Sequence, residues 1–322
     1  MNQTSKKQGI NLRPGTVMRG KWHKQVYVIS KQLGQGAIGS VYLCKTKDGK
    51  EGALKISDKA NSITTEVNVL KHLSKVQGSN LGPSLYDVDD WTDPTGMRYT
   101  FYVMEYVKGK DLPAFLRERG EGWLGILFVQ LLKDLERLHK QGWVFGDLKL
   151  DNVIVTFSPP RLRWIDVGGT TLIGRSIKEY TEFYDRGYWQ VGSRKAEPSY
   201  DLFALAMMAL HYAYPNQFDR GQYPIKTLQE KIRQSKQLSP YQTCLERALK
   251  GEYISSLEME KDLSLKLLKI TKPKTTNHPT SMMNQKQLAS KNHVNTVWSA
   301  WLESFAIIMV AFVFFVIYYL ST

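Results

Sequence analysis

Apolar and polar residues alternate along the first part of the chain and then give way to helical spacing. Gln25 to Leu33 and Ser40 to Lys45 alternate, and Lys47-Asp48-Gly49-Lys50 supplies a hairpin turn before Glu51 to Ile56, so three strands are predicted. Between Asn61 and Leu73 the pattern changes: Ile63, Val67, Leu70 and Leu73 share one helical face. Leu85 to Trp91 and Tyr99 to Val107 predict two further strands. From Trp123 the spacing is strongly helical, with Leu124, Leu127, Phe128, Leu131, Leu135 and Leu138 at three- and four-residue steps up to Gly142. A second apolar helix is predicted from Tyr200 to Tyr212. The order implies an α+β chain with a strand-rich lobe followed by a helix-rich one.

The texture changes again at the C-terminus. Ser304 to Leu320 reads SFAIIMVAFVFFVIYYL, with no charged residue after Glu303. A run of about 17 apolar residues meets the lower limit for a bilayer span. Trp298 and Trp301 precede it and Tyr318 and Tyr319 close it, as interfacial aromatics do. The expectation is a single transmembrane helix over 304–320; a buried C-terminal helix is the alternative. Lysines crowd its N-terminal flank, which places the preceding protein in the cytoplasm and makes the run a tail anchor in the cytoplasmic membrane. Residues 271–303, rich in Lys, Thr, Asn, Gln and Pro, read as a linker. Residues 1–19 read as a basic N-terminal extension without a secretory signal, leaving 20–270 as the folded domain, its lobes meeting near 107 and 108.

Composition narrows the partners. Of 322 residues, 44 are Lys or Arg and 30 are Asp or Glu, so the formal charge of +14 favours anionic ligands. With 42% hydrophobic and 23% charged residues, a wholly disordered chain is excluded. Cys44 and Cys244 lie far apart and offer no metal-ligand spacing, as expected of incidental thiols in a reducing compartment.

The chemistry lies in an ordered series of short motifs. Leu33-Gly34-Gln35-Gly36-Ala37-Ile38-Gly39-Ser40-Val41 fits G-x-G-x-x-G-x-V between two predicted strands. Glycines let a backbone close over phosphates, and Val41 can cover an adenine ring. A dinucleotide turn would need a helix next, whereas a strand follows. Lys55, in Ala53-Leu54-Lys55, stands 21 residues after the first glycine, and Glu66 on the next helix can hold it. Farther on come Val144-Phe145-Gly146-Asp147-Leu148-Lys149-Leu150-Asp151-Asn152 and Trp164-Ile165-Asp166-Val167-Gly168. Asp147, Lys149, Asn152 and Asp166 offer a base, a cation and two oxygen ligands. Phosphoryl transfer needs that set: oxygen ligands hold Mg²⁺ or Mn²⁺ on the phosphates, cations offset charge, and a carboxylate orients the attacking hydroxyl.

Over about residues 20 to 265 the chain resembles the protein kinase superfamily, specifically bacterial Hanks-type serine/threonine kinases. The resemblance implies a two-lobed kinase fold, ATP as phosphoryl donor and protein hydroxyls, its own included, as acceptors. It implies that Gly34, Gly36 and Gly39 form the nucleotide loop and that Lys55, paired with Glu66, contacts the α- and β-phosphates. Met104-Glu105-Tyr106-Val107 resembles the hinge, with Met104 as gatekeeper, the backbones of Glu105 and Val107 facing adenine, and Asp111 near the ribose. Asp147 is then the catalytic base, Lys149 the γ-phosphate cation, Asn152 and Asp166 the metal ligands, Thr181 a brace for Asp147 and Lys149, and Asp201 a brace for the catalytic loop. The tail anchor is similar to that of single-pass Gram-positive kinases without extracellular sensor modules.

Three departures bear on this reading. Phe145-Gly146 stands where His-Arg is usual, so a phosphate on the activation segment lacks its usual arginine partner. Val167 replaces the usual Phe, and Gly187-Tyr188-Trp189 stands where Ala-Pro-Glu is expected. A small-molecule phosphotransferase of the aminoglycoside or choline type stays open as an alternative, against which stand Lys149, Thr181 and the intact glycine loop. So does a polyanion-binding membrane scaffold. From Leu263 to Leu302 there are six lysines, Lys266, Lys269, Lys272, Lys274, Lys286 and Lys291, and no acidic residue. This basic stretch is expected to meet DNA or anionic lipid headgroups.

Overall fold

A computed structural model describes residues 10–36, 38–75, 81–178 and 180–271. The strand-rich lobe comprises β1 (Val17–Arg19), β2 (Val26–Gln35), β3 (Ser40–Thr46), β4 (Glu51–Ser57), helix α1 (Ala60–Leu73), β5 (Leu85–Thr92) and β6 (Arg98–Glu105). The strands form one antiparallel sheet in the order β1-β2-β3-β4-β6-β5. Period-two alternation splits its side chains between two cores. Leu54, Ile56, Phe101 and Val103 enter a small cluster with Met18, Tyr42 and Trp91. Their neighbours Ala53, Tyr102 and Met104 face the other way, into the main core with Ile63, Val67 and Leu70 of α1. Lys55 pairs with Tyr102 across β4 and β6, so that register places a lysine on the α1 side.

The helix-rich part contains α2 (Leu112–Arg119), α3 (Trp123–Lys140), α4 (Pro198–Ala213), α5 (Pro224–Gln234), α6 (Gln242–Leu249) and α7 (Ser256–Thr271). Between α3 and α4 run short strands β7 (Trp143–Val144), β8 (Val153–Thr156), β9 (Arg161–Trp164) and β10 (Thr171–Leu172), paired β8 with β9 and β7 with β10. The stripe Leu124, Leu127, Leu131, Leu135 and Leu138 buries α3 against its neighbours, and α4 is buried along nearly its whole length. Helix α3 packs on β7 and β9, and α4 packs on β7, so the two helices flank these short strands.

One boundary differs from the sequence reading. The stretch assigned to an N-terminal extension is partly core: Met18 in β1 is fully buried. The Leu12 N–H donates to the Tyr42 hydroxyl at 3.1 Å, which donates to the Ile10 carbonyl at 2.5 Å. Spaced apolar residues in a polar context give too short a period to read as a strand. At the other end α7 runs to Thr271, one residue past the expected domain limit, and carries Lys266 and Lys269, half-buried and exposed respectively. Lysines 272, 274, 286 and 291 and the apolar run 304–320 lie outside the described residues. Among the described residues no helix is long and apolar enough to cross a membrane.

Candidate active site

The glycine-rich turn is tied to the strand that carries Lys55. Gly34 and Gln35 still pair with Val41 and Ser40, and the Gly36 N–H donates to the Gly39 carbonyl at 2.9 Å to close the tip. A Cβ on Gly39 would lie 2.3 Å from the Ile56 carbonyl, so the residue must be glycine. The Ser57 hydroxyl donates to the Ile38 carbonyl, fastening the tip to the end of β4. Ala37 lies outside the described residues. Behind the turn, Val41 packs on the main core beside Ala53 and Met104, which are cross-strand partners, while Leu33 stays exposed. These small and apolar walls suit a flat heterocycle.

Lys55 is almost wholly buried, with 6% of its side chain exposed. Its Nζ lies 2.9 Å and 2.8 Å from the two Glu66 oxygens and 3.3 Å from those of Asp166. Burial pulls the lysine pKa down, but the charges of Asp166 and Glu66 outweigh it, so the ammonium is held above its ordinary value. Burial pushes the Glu66 carboxyl up, partly offset by Lys55 and by a hydrogen bond from Tyr102. Only 11 residues separate Lys55 from Glu66 in sequence. The structure joins them because only two residues separate the end of β4 from the start of α1, which brings Glu66 round on its second turn.

Asp147 is held from three sides. Lys149 Nζ donates to its Oδ2 at 2.7 Å, Asn152 Nδ2 donates to the same oxygen at 2.9 Å, and Thr181 Oγ1 lies 3.5 Å from Oδ1. Lys149 also donates to Thr181 Oγ1 at 3.1 Å. Asn152 Nδ2 further donates to the Asp147 carbonyl at 2.8 Å, so the amide oxygen is the atom left for a cation. Asp166 takes the Gly168 N–H at 2.9 Å and is 39% exposed towards the cleft. An amide oxygen and a carboxylate suit a hard divalent cation, so the residues present fit the metal that nucleotide chemistry requires.

The loop itself hangs from Asp201 on α4. This fully buried carboxylate accepts the N–H groups of Phe145 at 2.7 Å and Gly146 at 2.9 Å, and it meets His139 Nε2 at 2.9 Å. Gly146, in the place of the usual arginine, has φ +79°, and a Cβ there would lie 2.4 Å from the Gly169 carbonyl. No side chain fits. Beyond Thr181, the segment closes without Ala-Pro-Glu: Arg186 meets Glu197 at 2.6 Å, and Arg194 meets the fully buried Asp185 at 2.7 Å. Trp189 fills the core there and donates from Nε1 to the Phe183 carbonyl at 2.9 Å.

Two hinge-side residues carry further duties. The Glu105 carboxylate clasps Arg163 of β9 at 2.5 Å and 2.9 Å and takes the Ser84 N–H at 3.2 Å, tying the hinge to both lobes. Val107 is buried just beyond β6. Asp111 caps α2, its Oδ1 accepting the Ala114 N–H at 2.7 Å, which leaves its second oxygen outward. Tyr102, Arg163, Asp185 and Arg186 were not singled out in the sequence, where nothing in their spacing distinguishes them from ordinary strand and loop residues. Lys266 and Lys269 are on α7 and are not gathered into this cleft.

The protein kinase domain family matches residues 27–293. The chain is 50% identical over 264 residues to the serine/threonine-protein kinase YabT of Bacillus subtilis, covering 82% of this chain and 78% of that one. It is 28% identical over 186 residues to the probable serine/threonine-protein kinase zyg-1 of Caenorhabditis elegans, covering 54% of this chain and 25% of that longer protein. The crystal structure of the Mycobacterium tuberculosis PknI kinase domain shares the fold with a TM-score of 0.56 at 19% identity, over 80% of this chain and all of that one. The chain therefore belongs to the protein kinase family, with the two-lobed architecture that the site geometry already describes. Within the family it is a bacterial Hanks-type enzyme, an ATP-dependent serine/threonine protein kinase that works with a divalent cation.

Gly146 yields a test of the loop geometry. Gly146→Ala must either displace the Gly169 carbonyl or twist the backbone next to Asp147, and a misplacement of that size costs roughly 100-fold in turnover. Steady-state phosphoryl transfer should show that loss, and Gly146→Arg should be worse and not a gain of control.

Proposed function

We propose that this kinase transfers the γ-phosphate of Mg·ATP to protein serine and threonine hydroxyls, its own included, while anchored to the cytoplasmic membrane through residues 304–320. The observation that carries the catalytic part is the convergence of Lys55, Asp166, Asn152, Lys149, Thr181 and Asp147, with Asn152 2.9 Å from Asp147 and Lys55 3.3 Å from Asp166. Val41, Ala53, Met104 and the backbones of Glu105 and Val107 enclose the adenine, with Asp111 beside the ribose. Gly34, Gly36 and Gly39 cover the phosphates, and Lys55 offsets charge on the α- and β-phosphates. Asn152 and Asp166 would hold the magnesium ion, which would neutralise charge on the phosphate oxygens. Asp147, fixed by Asn152, Lys149 and Thr181, orients the acceptor hydroxyl and takes its proton as the new O–P bond forms. Lys149 meets the transferred phosphoryl group, and the bond to the ADP oxygen breaks. Preorganisation of these charges is the main source of acceleration in such sites.

The anchor rests on the apolar run 304–320 and its aromatic flanks, and its orientation on the lysines before it. The basic stretch from Lys269 to Lys291 contains no acidic residue and serves as a contact for an anionic polymer or surface, DNA or lipid headgroups. Gathering several kinase chains on one polyanion promotes trans-phosphorylation.

Three measurements follow. Lys55→Ala and Asp147→Asn should each lower radiolabel transfer from ATP by roughly 100-fold or more while the melting transition persists; wild-type turnover in either variant would overturn the assignment. Deleting 304–322 should move the kinase from the membrane pellet to the soluble fraction. Duplex DNA or anionic vesicles should raise autophosphorylation of the intact chain in neutral detergent at low salt. That gain should vanish when Lys269, Lys272, Lys274, Lys286 and Lys291 become Glu, and activation that survives the change would place the contact on the catalytic domain.

A further inference from the structure

Glu66 has a second partner besides Lys55. The Tyr102 hydroxyl, on β6, donates to Glu66 Oε2 at 2.7 Å, and the tyrosine is 1% exposed. Tyr102 stands directly across the β4–β6 ladder from Lys55. Residues opposite each other in an antiparallel pair project to the same face, and here both reach the one carboxylate on α1. Lys55 Nζ lies 2.9 Å from Oε1 and 2.8 Å from Oε2, and the Tyr102 hydroxyl shares Oε2 with it.

We propose that Tyr102 is a positioning residue for phosphoryl transfer: its hydroxyl fixes the Glu66 carboxylate, and through it the orientation of Lys55 towards ATP. The sheet and α1 present the three groups to one another. Only Asp58 and Lys59 separate β4 from α1, so the sheet and the helix that carries Glu66 are joined by a very short link. Glu66 itself is the one carboxylate in the apolar face formed by Ile63, Val67, Leu70 and Leu73. A buried carboxylate held by a single flexible lysine has freedom to swing; held also by a rigid phenol on the central sheet, it does not. The tyrosine has only two side-chain torsions, and its ring is packed in the main core.

This inference rests on Lys55 as the phosphate-binding cation, so Lys55→Ala is measured alongside. The test compares the intact chain with Tyr102→Phe, Glu66→Gln and the double variant, reading KM for ATP, KM for a protein acceptor, kcat and the melting temperature. Tyr102→Phe keeps the ring and removes only the hydroxyl. It should lower kcat/KM for ATP roughly tenfold, as loss of a hydrogen bond to a charged group does, and leave the acceptor KM unchanged. In the Glu66→Gln background the same change should cost less than about twofold, since the carboxylate it positions is gone. Wild-type kinetics in Tyr102→Phe, or an equal loss in both backgrounds that tracks a lowered melting temperature, would overturn the proposal. Full turnover in Lys55→Ala would instead remove the reading beneath it.

Discussion

Lys55 keeps its charge where water scarcely reaches, and much of the surrounding architecture answers that cost. An ammonium taken out of water loses several kcal/mol of hydration unless anions and hydrogen bonds replace it. Glu66 comes from α1 and Asp166 from the loop after β9, so the strand-rich lobe and the helix-rich lobe meet at one nitrogen. The same constraint explains why α1 must lie against the sheet and why the tip of the glycine turn is fastened to β4. A cation that receives phosphate cannot sit on a strand that moves independently of the loop above those phosphates.

A second set of buried charges organises the opposite wall of the cleft. Asp201 has no exposure, yet both its oxygens are satisfied by Phe145, Gly146 and His139. His139 in turn meets the Ser256 hydroxyl at 3.0 Å, so α3, α4, the start of α7 and the catalytic loop share one polar network. Such networks are costly when incomplete and rigid when complete. Here completeness fixes the backbone on either side of Asp147, and the side chains of Lys149, Asn152 and Thr181 then need only orient its carboxylate.

Most of the fold and the reacting groups were legible because their signals are local. Strand alternation around Lys55, the turn Asp48-Gly49 and the leucine stripe of α3 each fit within a short window, and the kinase motifs are ordered along the chain. What escaped the sequence depends on contacts across the sheet or between lobes. Tyr102 reads as one more aromatic in an apolar strand until the β4–β6 register sets it opposite Lys55. Arg163 is an unremarked strand residue until Glu105 is found across from it. The N-terminal boundary was misplaced for a related reason: β1 has three residues, too few to show a period, and its burial comes from a cluster assembled from distant strands. The basic stretch from Leu263 onward was recognised by composition alone, which does not reveal that its first two lysines, Lys266 and Lys269, ride on α7.

The activation segment shows how a lost residue is replaced by geometry and not by another of its kind. Gly146 leaves no room for the arginine that would receive a phosphate, because the Gly169 carbonyl fills the space. The segment is instead held by charges already in the chain. Arg186 reaches Glu197, the Ser193 carbonyl at 2.5 Å and the Ser199 hydroxyl at 2.8 Å. Asp185 gathers Arg194, the Tyr200 hydroxyl at 3.0 Å and the N–H groups of Gly187 and Tyr188. These groups lie on the segment itself or on the start of α4, so the brace is built from charges close together in the chain. A segment braced in this way brings Thr181 Oγ1 to 3.1 Å from Lys149 Nζ and 3.5 Å from Asp147 Oδ1.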